Sequence, residues 1–279
     1  MADSAVPLIS HLTELRRRLI VIVIAVVVGM GVAWNLADEA LRFIERPLTG
    51  ETYLDSAKQA GYQYLRDHYP GIYARSGAAT TQQAPKKHHA LNYTAPLEPF
   101  FIQCKLSALM GFVLVLPLVF QQIWGFIAPG LTSRERRMSL PFVFAATIAF
   151  CLGALFFLTT IWPFIINFSL SYETEGLRSW LSLSSYVDFC LRLILLFGGI
   201  AELPVITFLL ARFGLVSYAM LAPRRKYALL ASSIVAAFHS DLVTMFVIMI
   251  PLYLMYEVSV WVALFFSTKK PAAEPLVPV

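Results

Sequence analysis

Residues 227–266, YALLASSIVAAFHSDLVTMFVIMIPLYLMYEVSVWVALFF, are almost continuously apolar. As a single helix they would reach about 60 Å, twice the ~30 Å of a bilayer core. The stretch must therefore fold back, and the polar break Phe238-His239-Ser240-Asp241 marks the turn. That leaves about 12 residues ahead of the turn, roughly 18 Å of helix, too short to cross a core alone. A span this short implies local thinning of the bilayer, or a polar recess entering from one side. The helix after the turn takes the remainder and is expected to bend near Pro251.

Outward from this hairpin, apolar runs at about 19–37, 100–127, 141–163 and 187–211 join 227–238 and 242–266 to make six spans. Leu8, Leu12, Leu15 and Leu19 recur at helical spacing, so residues 1–18 are expected to carry an amphipathic helix on the inner interface. The first run is long, rich in Val and Ile, and lacks a small-x-small cleavage site, and reads as a retained span. A long outer loop, 38–99, follows. In it Leu54, Ala57, Gly61, Leu65 and Tyr69 predict a second amphipathic helix, and Ser76 to His89 is polar and repetitive. Residues 267–279 form a tail. Pro117, Pro204 and Pro251 lie inside spans and favour bends. The expected fold is an all-α integral membrane domain whose bent helices and short fifth span form a concave, glove-like wall. No internal repeat is evident, which weakens a secondary-transporter reading.

Charge sets the orientation. Arg16, Arg17 and Arg18 precede span one, Arg134, Arg136 and Arg137 crowd the 2–3 link, Arg212, Arg224, Arg225 and Lys226 fill the 4–5 link, and Lys269 and Lys270 follow span six. The 3–4 link carries Arg178 as its only basic residue, with Glu173 and Glu175. By the positive-inside rule both termini are cytoplasmic. With 58% hydrophobic and 14% charged residues, the net charge of +5 reflects this arginine excess, suited to anionic headgroups rather than nucleic acid. Cys104, Cys151 and Cys190 lie in or beside spans and read as packing residues.

Glu202 sits ten residues before Arg212, near mid-depth. A carboxyl there docks a partner helix, carries a proton, or is satisfied inside its own fold. Glu257 lies nearer the basic tail, where a local cation pair competes with a functional role. Asp241 suits capping of the sixth helix. Lys105 can snorkel. At the inner rim Glu14 can pair with Arg18 at i,i+4, and Thr132-x-x-Glu135 fits a capping box. Equally, two rim carboxylates can each grip a guanidinium through paired hydrogen bonds. A proton-coupled small-molecule carrier using Glu202 is the alternative function. Enzyme motifs are absent: no Gly-x-Ser-x-Gly, His-Glu-x-x-His, P-loop or paired intramembrane aspartates occurs. His88-His89 alone does not build a metal site, and no cofactor is expected.

Several strings are familiar in their order. They are His11-Leu12-x-Glu14-Leu15-Arg16, Arg46-Pro47-Leu48 and Pro96-Leu97-Glu98-Pro99-Phe100. Then come Phe126-Ile127-Ala128-Pro129-Gly130-Leu131 with Glu135-Arg136, and Phe197-Gly198 with Glu202-Leu203-Pro204. Arg225-Lys226-Tyr227, Asp241, Ile250-Pro251-Leu252-Tyr253 and Tyr256-Glu257 close the series. Together they resemble TatC, the polytopic subunit of the twin-arginine protein translocase, nearly end to end. The resemblance implies a receptor for twin-arginine signal peptides of folded cargo in the bacterial inner membrane. It implies that Glu14 and Glu135 recognise the arginine pair, with Arg16 and Phe126 in motifs tied to that patch. It implies that Glu202 faces a groove where single-span TatA or TatB docks, within a self-associating complex driven by proton-motive force. Pro47, Glu98, Pro204, Asp241 and Glu257 stand in matching motifs with structural or functional roles. Three departures stand out: Ala201 where the family often has an aromatic, the Phe238-His239-Ser240-Asp241 turn where it commonly has Pro-Pro-Asp, and the long 50–95 segment.

Overall fold

The computed structural model describes residues 8–49, 53–71, 90–128, 138–174, 179–238 and 241–267. The described chain is helical, with an isolated parallel bridge between Asn92 and Ser182. Three helical stretches are long and apolar enough to cross a membrane: Ser139–Leu170, Leu183–Arg212 and Leu242–Phe266. Two bent pairs qualify when each is taken as one span, Leu12–Val32 with Trp34–Thr49 (58°) and Glu98–Leu114 with Leu116–Ile127 (59°). Large apolar side chains stand exposed along these helices, among them Val27 (62%), Leu152 (60%) and Phe265 (71%). In water such surfaces would aggregate; against lipid tails they carry no penalty.

Two compact units make up the chain, Met1–Leu118 with Ala154–Leu196 and Val119–Gly153 with Phe197–Val279. In the first, α1 (Leu8–Val32) is one continuous helix. A separate interfacial helix ahead of span one was the expectation; no proline or glycine interrupts residues 8–28, so the helix simply runs on. A tight turn leads to α2 (Ala37–Thr49), a helix inside the segment expected to be loop. Asp38 and Glu39 in its first turn and Arg46 in its last suit the helix dipole. Next, α3 (Tyr53–His68) stands where the apolar spacing predicts a helix.

The helix α4 (Glu98–Leu114) crosses α1 at two glycines. A Cβ on Gly111 would lie 2.3 Å from the Met30 nitrogen, and one on Gly29 would lie 2.7 Å from the Gly111 oxygen. Small residues let two membrane helices approach backbone to backbone, where dispersion replaces the hydrophobic drive. The chain then bends into α5 (Leu116–Ile127), with Pro117 near its start, as expected from the missing N–H. After α6 (Ser139–Phe156) comes a π-helical turn, Phe157–Ile161, leading into α7 (Trp162–Leu170) with Pro163 in its first turn. Trp162, fully buried, packs edge-on to Tyr186 of α8 (Leu183–Ala201) at 4.9 Å.

In the second unit, α9 (Leu203–Arg212) and α11 (Arg225–Ala236) both pack against α12 (Leu242–Phe266); the short α10 (Tyr218–Leu221) lies between α9 and α11 in the 4–5 link. At 12 residues α11 is as short as its sequence implies. Asp241 caps α12, accepting the Thr244 N–H at 2.7 Å, the structural role its position suggests. The α12 helix is continuous through Pro251. Gly153 lets α6 meet the end of α8: a Cβ there would sit 2.6 Å from the Ala201 Cβ and from the Phe197 oxygen.

Candidate functional site

Span four breaks at Glu202. The α8 helix ends at Ala201, Glu202 occupies the turn, and α9 restarts with Pro204 in its first turn. Proline has no N–H to return to the preceding turn, so the helix tightens locally. The Glu202 N–H reaches the Gly199 oxygen at 3.2 Å, three residues back, and its carbonyl accepts from Ile206 at 2.9 Å. Glu202 itself is 6% exposed. Both carboxyl oxygens are buried and neither accepts a hydrogen bond of good geometry, although the Phe150 backbone lies beside them.

This carboxyl forms part of the wall of a cavity of about 240 Å³ lined by Phe120, Ile123, Phe142, Ile206, Leu209 and Phe213, among others. Among the described residues, Glu202 is the only charged group in that lining. Beneath it Trp124, Ala128 and Leu209 form a buried cluster packed by Phe142 and Phe213. Among the described residues the lining is an apolar recess with one acid. It suits a helix that brings a polar side chain to the carboxyl and apolar side chains to the wall.

On α1, Glu14 takes the i,i+4 pair with Arg18. Nε of Arg18 donates to Oε1 at 3.0 Å, and the terminal nitrogen donates to the same oxygen. The Glu14 side chain keeps 35% exposure, and Arg16 is exposed two residues on. Phe126, on α5 in the other unit, is half-buried. Glu135 lies outside the described residues, as do its Thr132 capping partner, the Pro129-Gly130-Leu131 string, Arg134, Arg136, Arg137, Arg178, Glu175, His239, Ser240, residues 76–89 and the tail from 268.

The other motif residues have structural partners. Glu98 accepts from the Thr94 N–H (2.8 Å), the Thr94 hydroxyl (3.2 Å), the Ala95 N–H (3.3 Å) and the Ser184 N–H (2.8 Å). It thereby ties the segment before α4 to the start of α8. Pro47 is buried in α2, three residues beyond Ile44, whose carbonyl takes two side-chain donors. Glu257 accepts from the Tyr253 hydroxyl at 2.7 Å and lies 2.9 Å from Arg225 Nε, an ion pair whose angle is poor for a hydrogen bond. Local pairing, one of the two readings open for Glu257, is therefore realised.

Asp188 and Arg192, on α8, are charges with no role in the sequence analysis. Lys105 donates to both oxygens of Asp188, at 2.7 and 2.9 Å. Arg192 follows one turn later on α8. The i,i+4 spacing of Asp188 and Arg192 inside an apolar run was the available signal. Among the described residues no group of three metal-binding side chains assembles.

Broken spans, lipid-ready surfaces and a buried acid in an apolar recess mark a polytopic membrane protein. Residues 10–251 match the family model described as Sec-independent protein translocase protein (TatC). The chain belongs to the TatC family. It is 30% identical over 267 residues to the Aquifex aeolicus Sec-independent protein translocase protein TatC, covering 95% of this chain and 97% of that protein. The Carboxydothermus hydrogenoformans TatC is 28% identical, covering 98% of this chain and 99% of the relative. Among solved structures, the crystal structure of the twin-arginine translocase receptor TatC superposes with a TM-score of 0.69 at 29% identity, covering 91% of this chain and 97% of that one. None of these relatives is a small-molecule carrier.

Proposed function

We propose that this chain is the receptor subunit of a twin-arginine translocase in a bacterial cytoplasmic membrane, with six spans and both termini cytoplasmic. The basic 2–3 and 4–5 links support that orientation. Glu14 and Glu135 engage the two arginines of a signal peptide, with Arg16 and Phe126 flanking them. Each charge-assisted pair contributes about 1.5–3 kcal/mol when partly shielded. Arginine is favoured over lysine because its planar fork meets a carboxylate with two parallel donors. The Glu14–Arg18 pair is the resting state of that site, and an incoming guanidinium displaces the half-buried Arg18 from the carboxylate.

TatA or TatB, each a single-span protein, docks its helix at the Glu202 recess, and proton-motive force drives cargo across. The observation that carries this reading is the buried, donor-less carboxyl of Glu202 in an apolar wall. The test uses photo-crosslinking in inverted membrane vesicles. Glu135→Arg is expected to abolish crosslinks to a twin-arginine signal while the protein still inserts. Glu202→Ala is expected to release single-span partners on purification. Unchanged crosslinking in Glu135→Arg rejects the receptor role, and unchanged co-purification in Glu202→Ala rejects the docking role.

A further inference from the structure

Three charges stand together on the faces that α4 and α8 share in the first unit. The Lys105 ammonium straddles the Asp188 carboxylate, and the two side chains keep 43% and 30% exposure. Arg192 lies one helical turn beyond Asp188 and is exposed. No ion pair or hydrogen bond joins Arg192 to another described residue. Asp188 is spent on Lys105, so the group carries a net +1: two cations less one carboxylate.

An arginine within a spanning helix requires an anion or water. Its location says where that anion comes from. Lys105 is seven residues past the start of α4 and Asp188 five past the start of α8. Both therefore sit roughly 8–10 Å along their helices, and Arg192 about 14 Å. Side chains on a helix tilt toward its N-terminus, so a long arginine rises toward the Leu183 end. That end carries the wet features of the unit: the Glu98 hydrogen bonds and the Asn92–Ser182 bridge. The guanidinium thus comes within reach of headgroups from below. Leu195, on the same helix and 47% exposed, offers an acyl chain a surface beside it.

We propose that Arg192, supported by Lys105 and with Asp188 setting the charge, binds the phosphate of a membrane phospholipid. The lipid belongs to the leaflet at the Glu98 and Leu183 ends of these helices. A phosphodiester carries one negative charge, which neutralises the net +1 of the group, and its oxygens match the guanidinium fork. A lipid phosphate at this height keeps its remaining oxygens toward water. A carboxylate on a neighbouring protein helix would be fully desolvated and is the less favourable occupant. The proposal needs the chain to span a membrane and does not depend on the translocase role.

The test compares delipidated wild-type protein in detergent with Arg192→Gln and Asp188→Asn. The probes are phosphatidylglycerol, phosphatidylethanolamine, diacylglycerol and inorganic phosphate. Melting temperature and native mass spectrometry are the readouts. Both phospholipids are expected to bind and raise the melting temperature of the wild type, and diacylglycerol and inorganic phosphate are not. Arg192→Gln is expected to weaken phospholipid binding roughly ten- to hundred-fold. It is also expected to melt like the wild type without lipid, because the Arg192 side chain has no hydrogen bond or ion pair among the described residues. Asp188→Asn, at net +2, is expected to retain phosphatidylglycerol more tightly than the wild type. Equal phospholipid binding by Arg192→Gln overturns the proposal, as does a lowered melting temperature of that variant without lipid. A response to inorganic phosphate equal to that of the lipids assigns the site to free phosphate instead. Loss of a co-purifying protein from Arg192→Gln with lipid binding intact assigns Arg192 to a partner's acid, and also overturns it.

Discussion

The indole N–H of Trp162 donates to the backbone carbonyl of Ile44, 118 residues earlier in the chain, at 2.9 Å. The Tyr186 hydroxyl donates to the same oxygen at 2.8 Å. A carbonyl has two acceptor directions, and here both serve side chains from other helices. The bonds fasten α2 to the helices on which Trp162 and Tyr186 stand.

Removing one donor should therefore cost less than removing both. Trp162→Phe is expected to lower stability by about 1–3 kcal/mol, from the lost hydrogen bond and lost ring volume. Tyr186→Phe alone should cost about 1 kcal/mol, since Trp162 still satisfies the oxygen. The double variant should lose more than the sum, because only then is a buried carbonyl orphaned. Thermal unfolding of the four proteins in one detergent measures this coupling, and strict additivity would refute the shared-acceptor account.

The α1–α4 crossing gives a sharper steric test. A methyl group on Gly111 meets the Met30 nitrogen at 2.3 Å, backbone that cannot swing away. Gly111→Ala should destabilise by about 1–3 kcal/mol, and Gly111→Leu should prevent the helices from meeting. Gly31, with nothing within 4 Å, is the control: Gly31→Ala should be neutral or mildly stabilising through helix propensity. Equal loss at both sites would mean that glycine flexibility matters here, not close approach.

Glu98 uses both oxygens, Oε1 for Ser184 and Oε2 for Thr94 and Ala95. An amide has one acceptor end. Glu98→Gln must turn its NH2 toward one set of donors, so an isosteric change should still cost about 1–3 kcal/mol. Glu98→Ala should cost more and make residues 90–97 susceptible to protease. A fully stable Glu98→Gln protein would show that one of the two donor sets is dispensable.

Local rules carried much of this architecture. The forty apolar residues from Tyr227 had to fold back, and α11 and the Asp241 cap follow from that constraint. The Glu14–Arg18 pair and the bend near Pro117 rest on spacing and a missing N–H, both written locally. Partnerships across the chain were not legible. Lys105 reads as a snorkelling cation until Asp188, 83 residues away, closes on it. The α2 helix reads as loop because Pro47 and five charged residues interrupt its apolar pattern; docking against Trp162 and Tyr186 gives it a place. Family resemblance named Glu202 as a docking group, but only the fold shows that its oxygens lack donors and that small Ala201 lies against Gly153.

That donor-less carboxyl leads to a prediction with opposed signs. A buried polar group without a partner destabilises the protein that contains it, and an apolar residue of similar size removes the deficit. Glu202→Leu should therefore raise the melting temperature of the isolated protein while abolishing retention of single-span partners. Glu202→Gln, which brings its own donors, should fall between the two in both measurements. Thermal unfolding and co-purification on the same preparations separate the cases. If Glu202→Leu melts lower than the wild type, the carboxyl is satisfied within its own chain and the recess is a packing feature. If it melts higher and still holds its partners, docking proceeds through the apolar wall of Phe120, Ile206 and Phe213 without the acid. A gain in stability joined to a loss of partner is the pattern of a site kept open at the protein's own expense.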